Sequence, residues 1–326
     1  MHAIVVREPG GPEVLEWREV PTPEPSRGEV RVRVRATAVN RADLLQRMGR
    51  YPAPPGSPPD ILGLELAGEV DAVGQDVTEL AKGDSVYGLV GGGAYAEQVV
   101  VHARALAKMP AGMTFVDAAA VPEAFLTAWD AMVTQAGLTA GETVLVHAAG
   151  SGVGTAGLQI ARAIGARAIG TARTPAKIGR TRELGLGEGI VVQDGAFAKE
   201  VLARTSGRGA DVVLDLVGGA YVAEDLACLA HQGRIVVVGT IGGARVDLDL
   251  SALMRKRAEV RGTMLRSRPL EEKILAARVL ERQITPLLES GALHPIIDRV
   301  LPIASAADAH RAMQDNESFG KLVLRV

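Results

Sequence analysis

Residues 143–165 read TVLVHAAGSGVGTAGLQIARAIG: a short apolar run fit for a buried strand, a cluster of small residues, then apolar positions at helical spacing. A strand that turns through glycines into a helix opens a βαβ unit, and one such unit cannot cover its own apolar faces. The neighbouring sequence supplies the cover. Apolar runs at TVLVHAA, ARAIGTA, GIVVQ, DVVLDLV, RIVVVGT and EVRGTM alternate with helical patterns at GTAGLQIARAIG, AKIGRTRELG, AFAKEVLARTSG, YVAEDLACLAH and SALMRKR. Six strands buried on both faces and separated by helices specify an α/β fold with a doubly wound parallel six-stranded sheet over residues 122–262.

The flanking sequence has a different period. Over residues 1–121, HAIVVRE, VLEWREV, EVRVRVRATAV and LAGEVDAVG are short strands punctuated by Gly and Pro, which predicts an all-β segment shaped as a twisted partial barrel. NRADLLQRMG is a short helix within it, and YPAPPGSPPD is too rich in proline for anything but a loop. Residues 263–326 hold a long helix, a strand, a second helix and a final strand, too little for a separate core. They are expected to return to residues 1–121 and complete a discontinuous first domain. At 326 residues with 47% hydrophobic content, the chain is long enough for two cores.

Gly152, Gly154 and Gly157 fit G-x-G-x-x-G, and here the pattern follows a strand and opens a helix. Glycine suits that place because backbone amides must come close to a pyrophosphate, which a Cβ would obstruct, while the helix start favours the anion. The reading is a dinucleotide site; the plainer alternative is a tight β–α turn. An NAD site normally carries an acid about 20 residues further on. This chain instead reads AIGTARTPAKIGR, with Arg173 and Lys177 available to a 2′-phosphate, so NADPH is the expected cofactor unless these are merely solvated cations.

Charge and cysteine content remove other classes. A formal net charge of -2 offers no basic field for nucleic acid. The N-terminal residues lack the apolar run of a signal peptide and no later segment is long and apolar enough to span a bilayer, so a cytoplasmic protein is expected. The lone Cys228 excludes an internal disulfide and a cysteine-built zinc site, and its helical setting reads as core.

VHAAGSGVGTAGLQIAR, AVPEAFLTAWDAM and AGLTAGETV, together with the early VNRADLLQRMGRYPAPPGSPPDILGLELAGEV and the late GTMLRSR and GKLVLRV, resemble the zinc-free quinone oxidoreductases of the medium-chain dehydrogenase/reductase superfamily. The resemblance spans the chain and points to the zeta-crystallin-like group, in particular its tumour-suppressor-inducible branch. It implies a GroES-like β domain, a Rossmann domain, and NADPH held between them. Zinc-dependent relatives carry Gly-His-Glu where this chain has GLELAGEV, with Leu64 in the histidine's place, so a metal-free enzyme is expected.

Carried over onto this sequence, the resemblance suggests Asn40, Tyr51 and Thr127 for the substrate and nicotinamide site. It gives Gly152, Val153 and Gly154 to the pyrophosphate and Arg173 and Lys177 to the 2′-phosphate. Val217, Gly239 and Leu265 would line the path from adenosine to nicotinamide. Some relatives cover the adenine with an Asn-Tyr pair where this chain has Val191 and Val192. Structural roles are open as well: Asn40 as a helix cap, Tyr51 packed on the proline loop, Thr127 bonded back within its helix.

The expected activity is hydride transfer from NADPH to a quinone, with Tyr51 as proton source. The alternatives are reduction of activated alkenes such as enones and enals, or a zeta-crystallin-type NADPH-binding protein with a structural or RNA-binding role. The segment IGGARVDLDL is expected to form an extended edge through which the chain pairs as a homodimer.

Overall fold

The computed structural model describes residues 1–326, apart from one side chain, that of residue 186. The chain separates into two compact units, Met1–Leu126 with Leu265–Val326, and Thr127–Met264. We call them unit 1 and unit 2.

The N-terminal part of unit 1 contributes β1 (His2–Val6), β2 (Leu15–Glu19), β3 (Glu29–Ala38), α1 (Arg41–Arg47), β4 (Glu65–Val73), β5 (Ser85–Leu89), β6 (Gln98–His102), β7 (Leu106–Lys108) and α2 (Phe115–Ala119). Helix α3 (Pro122–Trp129) then carries the chain into unit 2. There β8 (Thr143–Val146), α4 (Gly152–Ile164), β9 (Arg167–Ala172), α5 (Pro175–Thr181), β10 (Leu186–Val191) and α6 (Ala198–Arg204) are followed by β11 (Ala210–Asp215), α7 (Tyr221–Cys228), β12 (Leu229–Val237), α8 (Leu250–Lys256) and β13 (Glu259–Gly262). The return to unit 1 adds α9 (Leu270–Val279), α10 (Thr285–Glu289), β14 (Ile297–Pro302), α11 (Ala306–Gln314) and β15 (Lys321–Arg325).

In unit 1, β3 shows how the sequence builds one wet and one dry face. Val30, Val32 and Val34 point into the core, while Arg33 and Arg35 alternate with them toward solvent. The strand pairs antiparallel with β4, β6 and β15, so the last strand of the chain lies beside one of the first. A second fastening is polar. Arg47, fully buried, donates to Gly10 O at 3.1 Å and to Gln314 Oε1 at 3.1 Å, and its Nη1 lies 3.0 Å from His310 Nδ1. Burial and the neighbouring Arg47 hold His310 down to about 3, so it stays neutral against the guanidinium.

Unit 2 is a six-stranded sheet in the order β10-β9-β8-β11-β12-β13, with every adjacent pair parallel. Strands β8 and β11 are buried along their whole length, which explains their unbroken apolar runs. Leu145, Ile169, Ile190, Val213 and Ile235 form the core with Phe197 and Leu226 from the helical layers. Each fully buried side chain of this kind contributes about 1.5–3 kcal/mol.

Two details depart from the sequence reading. β13 is exposed at every residue, because an edge strand is covered on fewer sides than its apolar spelling suggests. The segment IGGARVDLDL forms no strand; it is a turn and an irregular stretch leading into α8, and the sheet edge is β13 itself. Two adjacent glycines at the start of that segment, Gly242 and Gly243, favour turn geometry over a ladder. Among the described residues no helix is long and apolar enough to cross a membrane.

Candidate functional site

In unit 2 the C-terminal ends of the strands carry the loops that a ligand can reach. The chain order reverses there, since β8 has β9 on one side and β11 on the other. After β8 the backbone turns at Ala148, an alanine held at φ 46, and enters α4 through Ser151. Ser151 Oγ accepts from Gly154 N at 3.0 Å as the N-cap. The amides of Gly152 and Val153 have no hydrogen bond to them among the described residues, which leaves the start of a 13-residue helix open to an anion. A Cβ on Gly154 would sit 2.4 Å from Ala148 O, so glycine is required for the turn to close. The helix ends at Gly165 in the left-handed conformation, φ 85, a second position where glycine relieves strain.

The neighbouring loops are braced from within. Asp215 Oδ1 accepts from Val217 N at 2.8 Å and from Gly218 N at 2.9 Å, and Val217 O accepts from Gly242 N at 2.8 Å. Val217 and Gly239 thus belong to adjoining loops, and a Cβ on Gly239 would meet Leu216 O at 2.6 Å. Arg173 stands exposed beyond β9, and Lys177 lies in the first turn of α5, capped by Thr174. Burial on one side and open amides, small residues and two cations on the other fit a dinucleotide phosphate.

Behind the turn sits a buried polar cluster. His147 Nε2 is 2.7 Å from Asp225 Oδ1 and Nδ1 is 2.8 Å from Thr171 Oγ1, with Phe197 and Tyr221 packed on the imidazole at 4.7 and 4.9 Å. Burial pushes the Asp225 carboxyl up to about 6, and the partner His147 moderates the rise. Cys228 is also buried, and its thiol is pushed up by burial and by Asp225, which makes it inert.

Unit 1 assembles its own polar group. Lys321 Nζ donates to Val39 O at 3.2 Å, Asn40 Oδ1 at 2.6 Å and Glu65 Oε1 at 2.7 Å. Asn40 Nδ2 donates to Glu65 Oε1 at 2.8 Å. The Asn40 amide is therefore engaged on both its oxygen and its nitrogen inside the protein, and the residue also stands at the N-cap of α1. The other oxygen of Glu65 accepts from the backbone amide of Glu123 at 2.8 Å and so anchors the first turn of α3.

Close by is a cavity of about 20 Å³, room for roughly one water, lined mostly by apolar side chains including Leu126 and Leu265 and by Glu123, Arg266 and Lys273. Loss of solvation, reinforced by Glu65, pushes Glu123 up to about 8. Arg266 donates through Nε to Gly91 O at 2.8 Å and through Nη2 to Gln46 Oε1 at 2.5 Å, and its guanidinium carbon lies 5.2 Å from the centre of the Tyr51 ring. Tyr51 is half-buried, and desolvation raises its hydroxyl above the usual value.

Of the residues singled out in the sequence, the glycine turn, Val217 and Gly239 come together in unit 2, with Arg173 and Lys177 at the next strand. Thr127 is buried in α3, while Asn40, Tyr51 and Leu265 belong to unit 1. Glu65, Glu123, Arg266 and Lys321 escaped the sequence reading. The GLELAGEV segment pointed at the first of them, since it places an acid one residue past the missing histidine.

A family described as zinc-binding dehydrogenase matches residues 152–281, and one described as the alcohol dehydrogenase GroES-like domain matches residues 26–111. Polyketide synthase GfsB of Streptomyces halstedii is 39% identical over 316 residues, which are 96% of this chain and 5% of that protein. Quinone oxidoreductase of Pseudomonas aeruginosa is 43% identical over 210 residues, 64% of each protein. The chain thus spans a small part of the synthase and under two-thirds of the oxidoreductase. Among solved structures, an NAD-dependent alcohol dehydrogenase superimposes with a TM-score of 0.86 at 35% identity, and mycobacterial Rv1454c complexed with NADPH with 0.90 at 31%; both comparisons cover 100% of each chain.

Proposed function

The chain belongs to the medium-chain dehydrogenase/reductase superfamily, and on that premise we propose that it is an NADPH-dependent quinone reductase working without a metal. The observation that carries the reading is the open helix start at Gly152 and Val153, followed after the next strand by Arg173 and Lys177 instead of an acid. The likeness to a Pseudomonas aeruginosa quinone oxidoreductase and to a mycobacterial protein bound to NADPH supports both halves of it.

NADPH, when bound, supplies a hydride from its nicotinamide. The rest falls to the protein. The amides of Gly152 and Val153 would receive the pyrophosphate and Arg173 and Lys177 the 2′-phosphate, while Gly154, expected at the pyrophosphate, gives its amide to Ser151 instead and keeps the turn closed; Val217, Gly239 and Thr127 would shape the cofactor's path in unit 2. Asn40 would act through its hold on Lys321 and Glu65, and Tyr51 would donate to an acceptor oxygen. A quinone asks little more than this, because hydride addition leaves charge on an oxygen that the ring already stabilises. Metal-free chemistry is supported by Leu64 where zinc enzymes place histidine and by the position of the single cysteine in unit 2.

The reading also includes a homodimer. β13 lies at the sheet edge with Val260 39% exposed, and the preceding α8 shows Leu250 and Met254 to solvent, a surface suited to a twofold copy. A monomer mass at micromolar concentration would remove that part. A second acceptor class, activated alkenes, is favoured by one feature, the Glu123 carboxyl, which loss of solvation and the neighbouring Glu65 raise to about 8.

The test is oxidation of NADPH and NADH side by side with 1,4-benzoquinone, 9,10-phenanthrenequinone and 2-cyclohexen-1-one, on wild type and Arg173→Ala. NADPH-dependent turnover, weakened by the substitution chiefly in KM for NADPH, is the expected result. Tight NADPH binding without turnover of any acceptor would leave a nucleotide-binding protein and end the reductase reading.

A further inference from the structure

The glycine turn of unit 2 begins at a backbone conformation that alanine does not adopt freely. Ala148 has φ 46, and a residue with a Cβ is strained there unless its neighbours fix it. Both neighbours are fixed by one residue of the next strand. His147 Nδ1 lies 2.8 Å from Thr171 Oγ1, and the amide of Ala149 donates to Thr171 O at 2.9 Å. Thr171 on β9 therefore grips the turn through its side chain on one flank of Ala148 and through its backbone on the other. The grip is dry, with His147 0% and Thr171 1% exposed. Asp225 Oδ1 lies 2.7 Å from His147 Nε2, so the carboxylate accepts there and Nδ1 takes the hydrogen of the Thr171 hydroxyl.

The gripped backbone is what α4 rests on. Ser151 N donates to Ala148 O at 2.8 Å, and Gly154 packs so closely on the same two residues that a Cβ there would lie 2.4 Å from Ala148 O and 2.8 Å from Ala149 Cα. The place of the open amides of Gly152 and Val153 follows from that seat. Along β9 in the other direction, Thr171 precedes Arg173 by two residues, at most about 7 Å of extended backbone. One side chain thus ties the start of the helix to the strand end that carries the first cation.

We propose that Thr171 is a positioning residue that determines cofactor specificity: its hydroxyl bond to His147 sets the spacing between the pyrophosphate amides of Gly152 and Val153 and the 2′-phosphate cation Arg173. This rests on the NADPH reading above and names the contact that enforces it. In NADPH a single ribose separates the 2′-phosphate from the pyrophosphate, so the two anions keep a nearly fixed separation. A site that meets both must hold its own donors at a matching separation, and freedom left between the two loops is entropy lost on binding. NADH brings only the pyrophosphate and does not read the spacing. Loosening the grip therefore costs NADPH more than it costs NADH.

The experiment measures Kd for NADPH and for NADH by cofactor fluorescence on wild type, Thr171→Val, Thr171→Ser, Arg173→Ala and the Thr171→Val/Arg173→Ala double variant. Valine keeps the shape and removes the hydroxyl, so Kd for NADPH should rise about tenfold and that for NADH less than about threefold. Serine, which keeps the hydroxyl, should restore the wild-type ratio. Arg173→Ala should raise Kd for NADPH about tenfold alone but less than about threefold once valine is present, because the two residues act as one unit. A purely structural role would weaken both cofactors equally. Equal losses, or a full effect of Arg173→Ala in both backgrounds, overturn the proposal. Should the valine variant fail to fold, hydrogen exchange of the wild type decides: 2′-AMP, which carries no pyrophosphate, should slow exchange of the Ala149 amide, and exchange unchanged at saturation overturns it. A wild-type preference for NADPH that the valine variant retains sinks this proposal alone, and wild type that binds both cofactors alike sinks the NADPH reading with it.

Discussion

The Glu65–Lys321 group of unit 1 and the His147–Asp225 group of unit 2 are both out of contact with water, and they solve the same problem differently. In unit 1 the ammonium has its three donors placed on Val39, Asn40 and Glu65, and the carboxylate has its counter-charge at 2.7 Å. In unit 2 Asp225 faces only an imidazole, and one oxygen each of Asp215 and Asp225 lacks a partner among the described residues. A buried acid with a cation can remain charged, and one without it is driven toward its neutral form. Unit 1 therefore holds a fixed ion pair, while unit 2 holds a group that takes up a proton near pH 6.

Removing the cation should be the most damaging test of that contrast. Lys321→Met leaves Glu65 buried without its counter-charge and should cost about 3–5 kcal/mol in urea unfolding. A loss below about 1 kcal/mol would show that the pair adds nothing to the fold. Gly154→Ala probes the rigid part of unit 2. Its Cβ meets backbone 2.4 Å away, so about 1–3 kcal/mol of stability and much of the NADPH affinity should go, read by thermal melting and cofactor fluorescence. Arg173→Ala acts on an exposed side chain and should leave stability unchanged while raising KM for NADPH about tenfold, worth about 1.4 kcal/mol, with NADH unaffected.

Asp225→Asn should have the smallest effect at neutral pH and sharpens the comparison best. The folded-state value of about 6 lies above the ordinary 3.8, so the folded protein binds the proton more readily than the unfolded one. Stability from this group is fully present below about 3.8 and is lost as pH rises through about 6. Wild type should thus lose stability relative to the variant across that interval, as measured by denaturation at a series of pH values. A constant difference between the two would show that the carboxyl binds its proton no more readily in the folded protein than in the unfolded one.

The alternation of apolar runs and helical patterns, and the glycines at 152, 154 and 157, determined the parallel sheet and the place of its ligand-binding turn. Both are local signals: a strand, a turn and a helix each lie within a few neighbouring residues, and glycine is demanded by backbone sterics that short sequence windows carry. The valine and arginine alternation of β3 likewise announced its two faces. What only the tertiary structure decided depends on distance along the chain. Lys321 lies 256 residues from Glu65, and Glu123 lies 58 from it. No spacing rule links them, and a glutamate at the head of a helix ordinarily reads as solvated. Its acidity follows from what surrounds it, as does the exposure of β13 from its place at the edge. Desolvation and charge coupling act through space, so they come into being only once the chain has closed around them.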